Sequence, residues 1–313
     1  MNKENNREVE TSGIKRSKYE IDMCNGTIMD KLISFALPLM LSGVLQLMFN
    51  AVDIIVVGRF TGSQALAAVG STSALINIFT NLFIGISLGS NVLAARFYAA
   101  GKSKEMSETV HTSITIALIS GIIMAFVGAI FAKGALELMD TPDDVIDQSV
   151  LYMRIYFMGM PFFMLYNYGA AILRAVGDTK RPLLFLIISG ITNAVLNLIL
   201  VIVFGLGVAG VAIATVIAQL ISCVLVLACL CRSQSSYRLH FNKLGIRRDY
   251  MVQIFKVGVP AGIQSVVINF SNALLQSSVN SFGSTAMAGY TAANNLLGFL
   301  YVSINSVTQA CMS

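Results

Sequence analysis

The sequence predicts an all-α polytopic membrane protein: a six-helix N-lobe, then the first two helices of a second six-helix lobe related to the first by a parallel internal repeat. Three observations predict it. The 313 residues are 56% hydrophobic and only 12% charged, with a mean hydropathy of +0.74, whereas soluble domains carry about 25% charged residues. Eight apolar stretches follow one another, and crossing a bilayer takes about 20 mostly apolar residues. The last two of those stretches repeat the first two.

Residues 1–28 mix both charge signs with Asn, Ser and Thr and contain no apolar core. This reads as a cytoplasmic, disordered tail with no cleavable signal peptide. The apolar segments follow at about 30–57, 66–97, 111–137, 148–174, 182–204, 207–231, 250–280 and 286–313. Several exceed the bilayer thickness, so tilt or protruding ends are expected. The expected units are 1–28 as tail, 29–240 as the N-lobe and 241–313 as an incomplete C-lobe.

Charge orients the segments. Of the 21 Lys and Arg, 18 lie in the tail and in the loops after segments two, four and six. The opposite side has Arg59 and Lys133, and its loop after segment three carries Glu137, Asp140, Asp143, Asp144 and Asp147. Positive-inside bias therefore puts the N-terminus and the even-numbered loops in the cytoplasm; the expected location is the cell (plasma) membrane. The net charge of +5 is a topology signal and not a nucleic-acid footprint. The five cysteines contain no C-x-x-C pair and read as reduced thiols.

The repeat aligns FALPLMLSGVLQLMFNA (35–51) with VGVPAGIQSVVINFSNA (257–273), pairing Pro38 with Pro260 and Asn50 with Asn272. GSQALAAVG (62–70) aligns with GSTAMAGYT (283–291). Six segments separate the copies, and an even number preserves topology, so the repeat is parallel. A complete second unit would extend well past residue 313, so a full-length relative is expected to have twelve helices.

Polar residues inside apolar helices are costly and mark function. Ser42, Gln46, Asn50 and Asp53 fall within an arc of roughly 80° on the first segment. Asp53 is the one carboxylate in the interior of any segment, and an ionised Asp at mid-bilayer costs roughly 2.5–3.5 kcal/mol on insertion scales. At about 1.5 Å per residue, Asp53 lies about 7 Å below the outer end of its helix, Asn197 about 10 Å and Asn193 about 16 Å below theirs, and Thr215 about 12 Å. The four share a layer. One carboxylate with several neutral oxygens at one depth suits a small cation or a proton; amides that only glue helices together are the alternative. Segment seven carries Ser265, Asn269, Asn272 and Gln276 on a narrow arc without an acid. Arg154 shares the depth of Asp53 and is expected to snorkel outward, with pairing to Asp53 the other option.

Enzyme chemistry finds no support: neither a nucleophile–base pair nor a metal-ligand cluster appears, and His111 and His240 read as structural. GLGVAG (205–210) matches a dinucleotide fingerprint only formally, since it follows a membrane segment and no acid comes before Asp249. It reads as a tight turn between two helices.

These residues resemble the multidrug and toxic compound extrusion (MATE) family. ALP…Q…NAVD…VGR between Ala36 and Arg59 is similar to the family's first helix, and LRAVGDTKRP (173–182) to its hallmark loop. NAVLN…GLGVAGVAIAT (193–215) completes the match. The resemblance implies two six-helix lobes around a V-shaped cleft, rocking between inward and outward states. It implies export of cationic or amphipathic small molecules against H⁺ or Na⁺, with no cofactor and no metal beyond Na⁺ at Asp53. Asp53 matches the family's helix 1 acid, and Asn193 and Thr215 match its polar partners in the cation site. Asn197 stands where a second Asp is often found. Gln46, Asn50, Asn77, Asn167, Asn269, Asn272 and Gln276 are the expected lining of the substrate cavity. A monomer in the lipid bilayer is expected. The rival readings are a lipid-linked oligosaccharide flippase, which would want a basic cavity, and a non-transporting fragment.

Overall fold

A computed structural model describes residues 27–139, 141–280, 297–298 and 300–311. The described chain is helical nearly throughout: α1 (Ile28–Phe60), α2 (Ser63–Ala99), α3 (Ser103–Glu137), α4 (Asp143–Met158), α5 (Met160–Ala175), α6 (Lys180–Leu198), α7 (Gly207–Arg232) and α8 (Arg248–Asn280), with a further helical stretch at 300–311. Among the described residues six helices are long and apolar enough to cross a membrane. In lipid every backbone N–H and C=O needs an internal partner, and a continuous helix supplies one for each group between its first and last turns. The helices outrun the apolar segments at several ends. α3, for example, starts two turns before the apolar run that begins at His111.

The expected single span at 148–174 needs correction. It is a bent rod of two 16-residue helices, α4 and α5, broken at Gly159. Pro161 has no N–H to give the Phe157 carbonyl, so the ladder lapses there. The bend brings Gly159 against α7, where an added Cβ would lie 2.7 Å from Val216 and 2.9 Å from the Gln219 side chain. The span at 182–204 is also irregular: α6 ends at Leu198 and passes into a π turn over Ile199–Val203, two residues after Asn197. GLGVAG spans the end of the α6–α7 turn and the first turn of α7, with Gly205 (φ 63°) and Gly207 (φ 56°) in the left-handed region that favours glycine.

The bent rod packs against α2, α3 and α7, and α1 lies along α6. Phe157, Met160, Met164, Tyr168 and Leu173 of the rod are buried in the main core. Phe126, Ile130 and Phe131 of α3 face outward, where lipid would lie.

α8 lies along α2 with backbones nearly touching. A Cβ added at Gly85 would fall 2.3 Å from the Gly262 Cα, and one at Gly258 would fall 2.6 Å from the Ile86 Cα. Both helices carry G-x-x-x-G here, at 85–89 and 258–262, the small-residue pattern that lets membrane helices approach closely. The stretch 300–311 packs on α1 through Ala310 against Phe35, Ala36 and Leu39. The tail at residues 1–26, Asp140 and the repeat copy at 283–291 lie outside the described residues.

Candidate functional site

Four polar side chains from three helices join in one hydrogen-bonded chain. Asn197 of α6 donates its Nδ2–H to the Asp53 carboxylate of α1. The same Nδ2 donates to Asn193 Oδ1 at 3.3 Å, and Asn193 Nδ2 donates to Thr215 Oγ1 of α7 at 3.3 Å. The Thr215 hydroxyl donates onward to the Val211 carbonyl at 3.0 Å. The helical period makes this layer: Asn193 and Asn197 are one turn apart on α6, and α6 packs on both α1 and α7. Asn197 is fully buried, Asn193 nearly so, and Asn197 Oδ1 meets no hydrogen-bond donor among the described residues.

The network opens into a cavity of about 330 Å³, at the lower end of the range for small-molecule sites. Gln46, Asn50 and Asp53 enter it from α1, Asn77 from α2, Asn167 from α5, and Asn193 and Thr215 from α6 and α7. Asn167 donates one Nδ2–H to the Phe163 carbonyl at 2.8 Å, which leaves its second N–H and its Oδ1 to meet a ligand. Asn197 stands behind Asp53 and does not line the cavity. Among the described residues, the walls carry one carboxylate and neither Lys nor Arg.

The segment-seven expectation fares differently. Asn269 and Asn272 are on α8 and do not line this cavity. Asn269 donates to its own helix at Ser265 O, 2.8 Å, and Asn272 is exposed. The side chain of Gln276 lies outside the described residues. Arg154 does not pair with Asp53; it is exposed and donates its Nε–H to the Ala129 carbonyl of α3 at 3.1 Å.

Tyr152, Tyr156, Gln219 and Phe49 also line the cavity, and sequence reasoning passed over them. A signal existed for two pairs. Tyr152 and Tyr156 are one turn apart at the depth of Arg154, and Gln219 follows Thr215 by one turn.

The MatE family model matches residues 38–199, just over half of the chain. The chain is 36% identical over 275 residues to the probable multidrug resistance protein YoeA of Bacillus subtilis, covering 85% of this chain and 59% of that protein. It is 27% identical over 281 residues to the probable multidrug resistance protein YpnP of the same organism (88% and 61%). It is 23% identical over 273 residues to the multidrug export protein MepA of Staphylococcus aureus strain MRSA252 (86% and 59%). The chain thus spans about three fifths of the length of these relatives. Among solved structures, a MATE in complex with MaD3S superposes with a TM-score of 0.85 at 22% identity, covering 91% of this chain and 64% of that one. A MOP superfamily transporter from Pyrococcus furiosus gives 0.84 at 22% identity (91% and 63%). The chain belongs to the MatE family.

Proposed function

We propose that this chain carries the cation-coupling lobe of a secondary active multidrug efflux antiporter that works by alternating access, and that Asp53 is its coupling carboxylate. Residues 29–240 would form the six-helix lobe around the cavity, and 241–313 would open the second. One observation carries the reading: a lone buried-network carboxylate stands at the wall of a polar cavity, held by an amide donor. Its neighbours are neutral. A charge at Asp53 is therefore uncompensated by any lining cation, and binding H⁺ or Na⁺ there removes it.

The Asn197 donor is compatible with H⁺ as the coupling ion. An N–H pointing at the carboxylate suits either protonation state, because one oxygen can hold the proton while the other accepts from Asn197. A Na⁺ ion could sit on the same oxygen that would hold the proton, and Asn197 would add a ligand to it only by turning its Oδ1 toward it. In the proposed cycle, protonation from outside neutralises Asp53 and weakens its hold on a cationic or amphipathic substrate, which leaves outward. Deprotonation toward the cytoplasm restores the charge for the next substrate. Moving one charge across 100 mV supplies about 2.3 kcal/mol, enough to bias each cycle. A flippase for lipid-linked sugars gains no support from walls without Lys or Arg.

Ethidium efflux from energised cells tests the assignment, comparing the protein with its Asp53→Asn variant while H⁺ and Na⁺ gradients are varied independently. The expected result is loss of gradient-dependent efflux in the variant and dependence of the parent on the H⁺ gradient. Gradient-driven efflux that persists in Asp53→Asn would falsify the role of Asp53; dependence on Na⁺ alone would replace the proton with Na⁺.

A further inference from the structure

The first turns of α3 and the loop from α7 to α8 enclose a second cavity, of about 730 Å³, at the end of the bundle opposite the α1–α2 turn. We propose that it binds the phosphate headgroup of an anionic phospholipid from the adjacent leaflet.

Charge is the first ground. Lys104 of α3 and Lys243 and Arg247 of the loop line the cavity against a single acid, Glu108. Among the described residues Glu108 pairs with Arg247, Nη2 to Oε1 at 3.9 Å, and neither lysine has an acid partner. Two ammonium groups therefore face the cavity without internal compensation.

Position is the second. The α3 side of the cavity runs from Lys104 to His111 and ends where the apolar run begins, which is the level of lipid headgroups. Basic pockets at the end of a helical bundle are suited to lipid phosphates.

The third ground separates lipid from a soluble anion. Leu244 and Ile246 also line the cavity, Ile246 is 44% exposed, and Phe241 beside it is 60% exposed. Exposed aliphatic and aromatic side chains interleaved with lysine and arginine are the composition of a segment lying in the membrane interface. A free phosphate has no use for them.

The cavity is also held open by backbone. His111 donates Nδ1–H to the Ser107 carbonyl at 2.6 Å and accepts the His240 N–H on Nε2 at 3.1 Å, which clips the entry of the loop to α3. The Arg247 N–H donates to Thr112 Oγ1 at 3.3 Å and clips its exit. A preformed site spares the ligand the entropy of ordering the loop.

Native mass spectrometry of the delipidated protein, titrated with phosphatidylglycerol or phosphatidylcholine, tests the proposal. Phosphatidylglycerol is expected to bind more tightly than phosphatidylcholine. Lys104→Gln and Lys243→Gln, each made singly, are expected to weaken phosphatidylglycerol binding about fivefold apiece. Arg59→Gln and Lys133→Gln, at the other end of the bundle, are expected to leave it unchanged. Equal binding of the two lipids, or equal losses from all four variants, would overturn the proposal. Displacement of phosphatidylglycerol by millimolar inorganic phosphate would also overturn it, by reassigning the cavity to a soluble anion.

Discussion

Asn197 donates its amide to both Asp53 and Asn193 from a fully buried position. Replacing it with Ala leaves the half-buried carboxylate at the cavity wall without that donor, and a buried group stripped of its partner costs roughly 1–3 kcal/mol, more when it is charged. Asn193→Ala breaks only neutral contacts of 3.3 Å, and neutral hydrogen bonds are worth about 0.5–1.5 kcal/mol net. The expected ordering of thermal stability in detergent is therefore parent above Asn193→Ala above Asn197→Ala, with dye efflux reduced in the same order. An Asn197→Ala protein as stable and active as its parent would mean that the amide is packing and nothing more. Legibility at this scale followed depth. Asp53, Asn193, Asn197 and Thr215 could be brought together from the sequence because polar residues in apolar helices are few and 1.5 Å per residue ranks their depth. Which oxygen meets which amide depends on helix rotation, and that depends on packing.

Helix interfaces show where the sequence pattern runs out. Segment lengths and order followed from apolar runs, but the break at Gly159 did not, because Pro161 inside an apolar run is compatible with either a kink or an intact helix. The two G-x-x-x-G patterns at 85–89 and 258–262 likewise announce close approach without naming the partner. The structure pairs them with each other. A Cβ at Gly262 would meet the Leu82 carbonyl oxygen at 2.6 Å, and one at Gly85 would meet the Gly262 backbone at 2.3 Å. Backbone cannot rotate away as a side chain can, so α2 and α8 must separate. Overpacking of this kind typically costs about 1–3 kcal/mol. Gly85→Ala and Gly262→Ala are both expected to lower the unfolding midpoint of the purified protein. Gly70→Ala on α2, where nothing lies within 4 Å, is the matched control. It is expected to be neutral or stabilising by about 0.5–1 kcal/mol, since alanine outranks glycine in a helix interior. Three equal midpoints would show that α2 and α8 are not in contact.

The whole molecule adds a symmetry argument. α8 repeats the sequence of α1, and the stretch 300–311 continues the copy of α2. In the fold α8 packs on α2, while 300–311 packs on α1. A two-fold axis along the membrane normal exchanges those two contacts, which supports the parallel repeat and the reading of α8 as the opening helix of a second lobe. Such an axis keeps both copies in one orientation, so a single charge asymmetry should govern the chain. The loops at the α3 N-terminus and between α7 and α8 are basic, with Lys102, Lys104, Lys243, Arg247 and Arg248, while the start of α4 holds Asp143, Asp144 and Asp147. Single cysteines at Lys243 and Asp144, introduced after the native cysteines are replaced by serine, read the orientation directly. With a membrane-impermeant maleimide on intact cells, Asp144→Cys is expected to label and Lys243→Cys to stay unmodified until the membrane is permeabilised. Positive-inside bias sets this direction because cationic loops are retained in the cytoplasm. The reverse pattern would invert the chain and place Asp53, which lies near the α1–α2 turn, close to the cytoplasm. Asp53 would then take up its cation from the inside, and the coupling cycle proposed above would run in the wrong direction for export.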